Sequence, residues 1–444
     1  MPSNKLIGAL LAIMALLLQA CQPTVYLMPT PVAMRSGELD PFKANPNLER
    51  NNRIQVLYAT TRLPLEAGQQ PGYSRRHDEA LRFGEAVLTI GGETKPWERL
   101  HFGSTIGERD AQWVLRLKEV REEAMLGPDD PLDRLSPALR RFFEKLNARI
   151  DASLHGDLTV YVHGANNNFY RATAQAGQYR HFTGYNSVVL VFAWPSAENL
   201  LRYGTDVKNA ADSAPVFARL IALLARHSSA RHINILAYSA GAMVVSPGLA
   251  HLRTLYGGVP AARLHERLRL GEVYFAAPDV DLKSFVSDLT RFKDIACNVT
   301  VTINLNDSVL ALSQMHQGTS RAGRPDVREL SPEETRWIIH ATHGADFDVI
   351  DVNSKNIPDF STGSHSFWYS NPWVSSDVLT QFLYHASPDR RGLVERITGE
   401  GDSSWYFPPD YPRRVVEAVK ALDASGDAGA CGYRPATGAA QAPP

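Results

Sequence analysis

The sequence predicts an α/β fold with a mostly parallel central sheet, helices on both of its faces, and an N-terminal extension that contains β-strands. Six apolar runs after residue 156 show little alternation of apolar and polar residues, which is typical of parallel strands buried on both faces. Helical stretches separate these runs, as the crossovers of a parallel sheet require. Residues 53–62 and 83–90 alternate apolar and polar side chains and predict earlier strands.

Size and charge narrow the class of protein. The 444 residues include 46 basic and 47 acidic side chains, and 44% are apolar, which excludes a disordered chain. The balanced charge argues against a nucleic-acid partner, because binding to phosphates needs clustered Lys and Arg. Three cysteines and 14 scattered histidines show no zinc-type spacing, so neither a metal nor a cofactor is predicted. Cys297 and Cys431 could pair in an oxidising compartment, which the sequence leaves open.

The N-terminus has the pattern of an export signal. Residues 6–18 form an apolar run that is too short to span a bilayer, so a signal peptide is predicted over residues 1–20. The segment LQAC at 18–21 resembles the bacterial lipoprotein box, which implies that Cys21 is lipidated and anchors the protein to a membrane. Gln22 resembles the sorting pattern for the outer membrane, facing the periplasm. The alternative is an ordinary cleaved signal with an incidental cysteine.

Composition divides the rest of the chain into four parts. Residues 21–50 are rich in Pro and Asn without any period and predict a lipidated tether. Residues 51–155 predict a β/α extension that packs on the core, and residues 156–386 predict the α/β core itself. Residues 387–444 predict a C-terminal extension that ends in a mobile tail.

The third strand of the core leads to a candidate nucleophile. Residues 233–238 predict a strand that runs into Ser239, and a helical stretch follows. The pattern matches the nucleophile elbow G-x-S-x-G, except that Ala237 replaces the first glycine. Small flanking residues are needed because a sharp turn exposes the serine hydroxyl. Ser239 is therefore predicted as the nucleophile, with a serine that caps a core helix as the alternative.

A serine nucleophile also needs an oxyanion hole, a pair of donors placed where negative charge develops. One predicted donor is the backbone N–H of Ala240, directly after the serine. The second is the N–H of Ala165, in the loop after the strand that ends in His163, with Asn166 as the alternative. His163 precedes the serine strand and is interpreted as a structural residue.

The acid should follow the serine at the carboxyl end of a later strand. Asp307, after the strand-like run NVTVTINLN, occupies the position usual for this residue. Asp279 and Asp281, after an earlier strand, are the rivals. Any of the three could instead be the N-cap of a helix.

The base should follow the acid. His365 comes after the last strand-like run, DFDVIDV, and is predicted as the base. His316, just beyond the loop of the acid, is the main rival. His340 and His343 precede the last strand and are expected near the opposite edge of the sheet.

The order of these motifs over roughly residues 53–386 resembles a bacterial family of α/β hydrolases described only as domains of unknown function or as esterase/lipase-like. The resemblance implies an α/β-hydrolase fold and a Ser-Asp-His triad, but no substrate. Ala165 and Tyr238 depart from the residues common in such families and could reshape an acyl pocket. The matching motifs are Tyr58-Ala59-Thr60-Thr61-Arg62, His163-Gly164-Ala165-Asn166, Phe192-Ala193-Trp194-Pro195-Ser196, Ala237-Tyr238-Ser239-Ala240-Gly241, Ala277-Pro278-Asp279-Val280-Asp281, Asn306-Asp307 and His365-Ser366.

These residues predict a serine hydrolase that cleaves carboxylic esters through an acyl-enzyme at the bacterial cell envelope. The expected substrate is a small acyl ester or a lipid. A peptidase, amidase or acyltransferase on the same triad is the alternative among enzymes, and an envelope binding protein without catalysis is the alternative outside them. Some aromatic residues could line a substrate cleft or pack in the core: Trp194, Phe367, Trp368, Tyr369 and Trp373.

Overall fold

The computed structural model describes most of the chain beyond the export signal. The predicted signal peptide at 1–20, the predicted lipidation site Cys21, and the predicted mobile tail from residue 426 lie outside the described residues. In the described part of the chain, no helix combines the length and the apolar character that crossing a bilayer requires. The described ranges are 24–66, 72–106, 109, 111–198, 202–344, 346–352, 356–358, 360–361, 363–397 and 403–425.

One eleven-stranded sheet organises the protein, in the order β10-β11-β9-β8-β7-β6-β4-β5-β1-β2-β3. Eight neighbouring strands, from β11 to β1, are parallel, and only β2, β3 and β10 run antiparallel to their neighbours. The strands are β1 (Arg53–Pro64), β2 (Tyr73–Ile90), β3 (Leu115–Leu126), β4 (Leu158–Val162), β5 (Val188–Ala193), β6 (Ile233–Tyr238), β7 (Leu270–Ala276), β8 (Ala296–Ile303), β9 (Phe347–Asp351), β10 (Val394–Ile397) and β11 (Ser403–Tyr406).

Twelve α-helices connect or cover the strands in the described ranges. They are α1 (Trp97–Thr105), α2 (Pro137–Asp151), α3 (Phe169–Phe182), α4 (Tyr203–His227), α5 (Ala242–Leu255), α6 (Ala261–Leu268), α7 (Leu282–Phe292), α8 (Ser308–Gln317), α9 (Pro332–Thr342), α10 (Phe367–Ser370), α11 (Pro372–Tyr384) and α12 (Tyr411–Ser425).

The two faces of the sheet are covered by different helices. In β4, Val160 and Val162 point into a core with α2, α4, α5, α6 and α7, whereas Tyr161 between them points into a second core with α1, α3, α11 and α12. All five residues of β4 are buried, which explains why its sequence does not alternate apolar and polar residues. The predicted α/β fold, with a mostly parallel sheet and helices on both faces, is confirmed.

The 51–155 segment extends the sheet of the core, where the sequence predicted an extension packed on it. Strand β1 pairs in parallel with β5, with Leu57 opposite Leu190, and β2 and β3 continue the sheet as antiparallel strands. Helix α2 then packs on one face through a stripe at helical spacing that includes Leu139, Phe142 and Leu146. The boundary at residue 155 therefore does not separate two cores.

The expectation of a tether over residues 21–50 is wrong for the described part, residues 24–50. Leu27, Met28, Met34 and Phe42 are buried in the core that also contains α3 and α11. The Leu27 N–H donates to the Trp113 carbonyl at 2.7 Å. An irregular segment can be buried when neighbouring groups satisfy its backbone, which periodicity in sequence does not reveal.

The C-terminal extension also belongs to the sheet as far as residue 425. Strand β11 pairs in parallel with β9, and α12 buries Val415, Val419 and Leu422. Cys297, in β8, is disulfide-bonded. The other two cysteines of the chain, Cys21 and Cys431, lie outside the described residues.

Candidate active site

The turn after β6 presents Ser239 at the carboxyl end of the parallel strands. Ser239 has a φ of +53°, a left-handed conformation that is uncommon for a residue with a side chain. A short 3₁₀ turn and α5 follow at once. Gly241 is required there, because a Cβ at this position would lie 2.5 Å from the Val162 carbonyl oxygen. The strand, the strained turn and the helix have the geometry that the sequence predicts for a nucleophile elbow.

The three predicted triad residues meet at this edge of the sheet, although 68 and 58 residues separate them in sequence. His365 Nε2 lies 2.7 Å from Ser239 Oγ, and His365 Nδ1 lies 2.8 Å from Asp307 Oδ2. Both distances are those of short hydrogen bonds. Asp307 is fully buried, whereas 10% of the His365 side chain is exposed. The arrangement is a continuous chain of hydrogen bonds from a buried carboxylate to a hydroxyl near the surface.

Asp307 uses its two carboxylate oxygens differently. Oδ1 accepts the backbone N–H groups of Val309 and Leu310 at 2.9 and 3.0 Å and so caps the N-terminus of α8. Oδ2 faces His365. The two interpretations of Asp307, as a helix N-cap and as the partner of the histidine, are therefore both correct structurally. The cap fixes the carboxylate in the orientation that the histidine needs.

The loop that contains His365 is held on both sides. Asn304 Nδ2 donates to the carbonyl of Ser364 at 2.9 Å, and Ser308 Oγ donates to that of Gly363 at 2.9 Å. Tyr238, which precedes Ser239, places its ring 5.4 Å from the imidazole of His365, centroid to centroid. These contacts come from β6 and from both sides of Asp307, so the elements that hold the acid and the serine also position the histidine.

The loop after β4 lies directly against Ser239. A Cβ on Gly164 would lie 2.8 Å from the Cβ of Ser239, so only glycine allows this approach. The Asn166 N–H donates to Asp206 Oδ2 at 3.2 Å and is thereby occupied. The Ala165 N–H makes no hydrogen bond to any described residue. Of the two predicted donors in this loop, Ala165 is thus the one with a free N–H, and Ala240 follows Ser239 in the 3₁₀ turn.

The rival acids are engaged elsewhere. Asp279 is buried and accepts from Arg321 Nε and Ser313 Oγ, both at 2.7 Å, and from Tyr203 Oη at 2.6 Å. Its N–H donates to the Ser239 carbonyl at 3.1 Å, so Asp279 supports the backbone of the elbow. Asp281 caps α7 through the N–H of Ser284.

The rival histidines lie on helices. His316 is in the last turn of α8, where its ring lies 5.9 Å from that of Tyr203. His340 and His343 end α9. Among the described contacts, none of the three reaches Asp307 or Ser239.

Most of the aromatic residues near the site belong to the core. Trp194, Phe367, Trp368 and Trp373 are buried, and only Tyr369 of that set is partly exposed. The Trp194 ring stacks on His163 at 5.1 Å, and its Nε1 donates to the His163 carbonyl at 2.7 Å. Burial lowers the pKa of His163 to about 3, so this histidine is neutral at physiological pH and has the structural surroundings expected for it.

Comparison with known proteins gives a family. Residues 140–381 match the model of the family "Alpha/beta hydrolase of unknown function (DUF900)". The chain belongs to this family. No curated protein matches the chain. A solved structure that matches is "Thermogutta terrifontis esterase 2 phosphoramylated by tabun", which is 11% identical in sequence and has a TM-score of 0.29. The match covers 52% of this chain and 82% of the esterase chain. A similarity this weak does not bear on activity.

In this DUF900 chain, two charged residues that the sequence did not single out hold the loops around the serine. Arg62 is fully buried and donates to the Trp194 carbonyl at 3.0 Å, to that of Asn167 at 2.6 Å, and to Glu198 at 3.1 Å. Burial lowers the pKa of Arg62 to about 10, which still leaves it charged at pH 7. Asp206 holds the same two loops from α4 through Asn166 and Ser196. A buried arginine at the end of β1 was visible in sequence only as the last residue of a family motif.

Proposed function

We propose that this protein is a serine hydrolase that cleaves carboxylic esters through an acyl-enzyme intermediate. The observation that supports the proposal is the hydrogen-bonded chain from Asp307 through His365 to Ser239, on a strained turn between a buried strand and a helix. This combination supplies a nucleophile, a base and a group that orients the base.

The proposed reaction has two steps. Ser239 Oγ attacks the acyl carbonyl carbon while His365 Nε2 takes the hydroxyl proton, and the negative oxygen of the tetrahedral intermediate accepts from the N–H groups of Ala240 and Ala165. His365 then gives its proton to the departing alcohol. In the second step His365 removes a proton from water, which attacks the acyl carbon, and Ser239 recovers its proton as the acid leaves. Asp307 stabilises the imidazolium throughout.

The surface beside the site favours an apolar acyl substrate. Helix α8 begins directly after Asp307 and buries Leu310, yet it exposes 66% of Leu312 and 82% of Met315. Val309, on the same helix, is also exposed. Large apolar side chains exposed side by side mark a surface that meets another apolar body. An ester presented in a lipid layer or a micelle would meet this stripe as it approaches Ser239.

A location at the cell envelope is part of the proposal. It is supported by the lipoprotein-like segment that ends at Cys21 and by the disulfide-bonded state of Cys297, because disulfides persist in oxidising compartments. Metabolic labelling with a palmitate analogue checks the anchor. We expect the wild type and Cys431→Ser to be labelled and Cys21→Ser not to be. Labelling of Cys21→Ser would contradict the anchor.

A fluorophosphonate probe tests the nucleophile. The probe reacts with an activated serine, so it should label the wild type and should not label Ser239→Ala. Ser229→Ala, an exposed serine before β6, is the matched control and should label like the wild type. An unlabelled wild type, or equal labelling of Ser239→Ala, would refute the assignment. A panel of esters, amides and alcohol acceptors then separates an esterase from an amidase or an acyltransferase.

The apolar stripe has its own test. The double variant Leu312→Ser/Met315→Ser should hydrolyse a monomeric ester at the wild-type rate. On the same ester above its critical micelle concentration, the rate of hydrolysis should fall roughly tenfold or more, because loss of one apolar contact costs about 1.5 kcal/mol or more. Leu255→Ser, which changes another exposed leucine at the far end of α5, is the control. An equal loss on monomers and micelles would contradict a role in interfacial binding.

A further inference from the structure

A second cluster of polar residues lies at the opposite end of the sheet from Ser239. Asp157 and His232 precede β4 and β6, and His385 follows α11. The six residues of β6 separate His232 from Ser239, which makes seven rises of about 3.3 Å and a distance of about 23 Å. These three residues take no part in the proposed reaction. Their positions, 75 and 153 residues apart in sequence, are brought together only by the fold.

The three side chains point donor atoms at one another. Asp157 Oδ1 lies 3.1 Å from His232 Nδ1, and Asp157 Oδ2 lies 2.7 Å from His385 Nε2. One ligand atom from each residue falls within 4.8 Å of the other two. A zinc ion bound at about 2.0–2.2 Å to each of three tetrahedral ligands would hold these atoms about 3.3 Å apart. Small shifts of the side chains are enough to reach that geometry.

We propose that Asp157, His232 and His385 form a binding site for a divalent transition-metal ion, with Zn²⁺ as the best match to two imidazole nitrogens and one carboxylate oxygen. Ligands of this kind favour zinc and its neighbours over the magnesium and calcium ions, which prefer oxygen alone. Three protein ligands leave a fourth position for water. The site lies far from the nucleophile, so its role is to fasten α11 to β4 and β6.

The residues around the cluster match those that surround a metal-binding histidine. Such a histidine usually donates its second ring nitrogen to a carboxylate, which fixes the ring and its tautomer. His385 Nδ1 lies 3.3 Å from Glu272 Oε1. Glu272 is itself held by Gln381 Nε2 at 2.6 Å and by Asn298 Nδ2 at 3.2 Å. The orienting carboxylate is thus present and fixed.

The charge of this region also calls for a cation. Four carboxylates are buried in a connected network beneath the sheet edge: Asp157, Glu272, Asp348 and Asp377. Within the described chain, two cations are paired with them: Arg391, through Asp377, and His385, whose two ring nitrogens face Asp157 and Glu272. Buried carboxylates without matching cations are costly. A divalent ion at Asp157 that replaces one proton of His385 would add one positive charge and so reduce this imbalance.

Access and backbone strain agree with a binding site. The side chain of His232 is 12% exposed, which gives an ion a route to the buried Asp157. His385 has a φ of +49° at the C-terminus of α11, where glycine is usual. A histidine kept in a strained position at a helix end needs a compensating interaction. The hydrogen bonds to Asp157 and Glu272 supply one, and coordination through Nε2 would add to it.

Metal binding has to displace a proton. Both ring nitrogens of His385 face carboxylates, Nε2 that of Asp157 and Nδ1 that of Glu272, so both donate and the ring carries two protons. The ion replaces the proton on Nε2, while Nδ1 keeps its proton and its bond to Glu272. His232 binds through Nδ1 with its remaining proton on Nε2. Binding therefore releases one proton per ion, and no electron is transferred.

The test uses the purified full-length chain after treatment with a chelator. Zn²⁺ is added, unbound metal is removed, and the bound metal is counted by mass spectrometry, in parallel with the visible spectrum after Co²⁺ is added instead. We expect about one ion per chain, the intense absorption of tetrahedral Co²⁺, and a higher thermal unfolding temperature with metal. A wild type that takes up no metal, or takes it up without these spectral and thermal changes, would overturn the proposal.

Variants assign the site. His232→Gln and His385→Gln should abolish uptake, and Glu272→Gln should weaken it by roughly 10- to 100-fold, because a group outside the ligands is removed. His340→Gln, an exposed histidine on α9, is the control and should bind like the wild type. Uptake that persists in both ligand variants would refute the site. If a ligand variant fails to fold, Glu272→Gln and the Co²⁺ spectrum of the wild type decide. Fluorophosphonate labelling of Ser239 should be the same with and without metal.

Discussion

The divided role of Asp307 makes Asp307→Asn an informative perturbation of the proposed enzyme. The asparagine oxygen can take the place of Oδ1 and accept the N–H groups that begin α8, since Asn and Asp are about equally good N-caps. The amide NH₂ then occupies the place of Oδ2 and faces His365 Nδ1. Two donors cannot share that contact, so the imidazole has to carry its proton on Nε2, where it can no longer accept from Ser239.

The magnitudes follow from these two contacts. In Asp307→Asn the cap survives, so the free energy of unfolding should change little. In Asp307→Ala the free energy of unfolding should fall by about 1 kcal/mol through loss of the cap and by about 1–3 kcal/mol through the unpaired N–H of His365. Activity should fall by about 10⁴ in both variants, because asparagine forces the wrong tautomer and alanine leaves no group that orients the imidazole or stabilises its positive charge. That factor corresponds to about 5.5 kcal/mol in the activation free energy.

The assay measures the second-order rate of fluorophosphonate labelling alongside urea unfolding, in the wild type and both variants. Activity should be lost equally in the two variants, while stability should be lost only in Asp307→Ala. An Asp307→Asn variant that labels at the wild-type rate would refute the role of Oδ2. An Asp307→Asn variant as unstable as Asp307→Ala would refute the separation of the two oxygens.

Three further changes test the packing that supports the site. Gly241→Ala should lower the free energy of unfolding by about 1–3 kcal/mol and slow probe labelling, because the new Cβ meets the Val162 carbonyl. Gly204→Ala, whose new Cβ meets nothing, should leave both unchanged. Equal effects of the two substitutions would contradict the clash. Burial raises the pKa of Asp348 to about 6, so the free energy of unfolding should fall as the pH rises from about 4 to about 6, by about 3 kcal/mol in total. In urea unfolding, Asp348→Asn should therefore be more stable than the wild type at pH 7.5 and not at pH 4, and a variant without this pH dependence would contradict the buried charge. Arg62→Lys should slow labelling several-fold even if the chain stays folded, since lysine cannot make the forked contacts of arginine, and an unchanged rate would show that the loops hold without it.

The order of the predicted site residues was readable from sequence because of one geometric rule. In a parallel sheet the carboxyl ends of all strands lie at one edge, so Ser239, Asp307 and His365, each following a different strand, were expected to meet there. Unalternating apolar runs such as that of β4 also predicted burial on both faces. Neither inference depends on side-chain detail, which is why both could be drawn from the chain alone.

Other features depend on tertiary contacts that leave no periodic trace. Residues 24–50 are buried as irregular chain, and their partners, such as Trp113, are distant in sequence. Arg62 ends a strand pattern, and only its three acceptors from two other loops reveal its function. A composition argument that assigns polar and proline-rich segments to the exterior fails wherever neighbouring groups satisfy the backbone.

The same rule that gathers the triad at one edge of the sheet gathers Asp157 and His232 at the other. A parallel strand that is flanked by two polar residues contributes one to each edge, and β6 is flanked by His232 and Ser239. The carboxyl edge has a motif, because the strained elbow constrains its neighbours to be small. The amino edge has none, because its third member, His385, arrives from a helix that packs on the face of the sheet. Strand β6 links the two edges directly, and its fully buried residues, paired on both sides, leave little room for it to move.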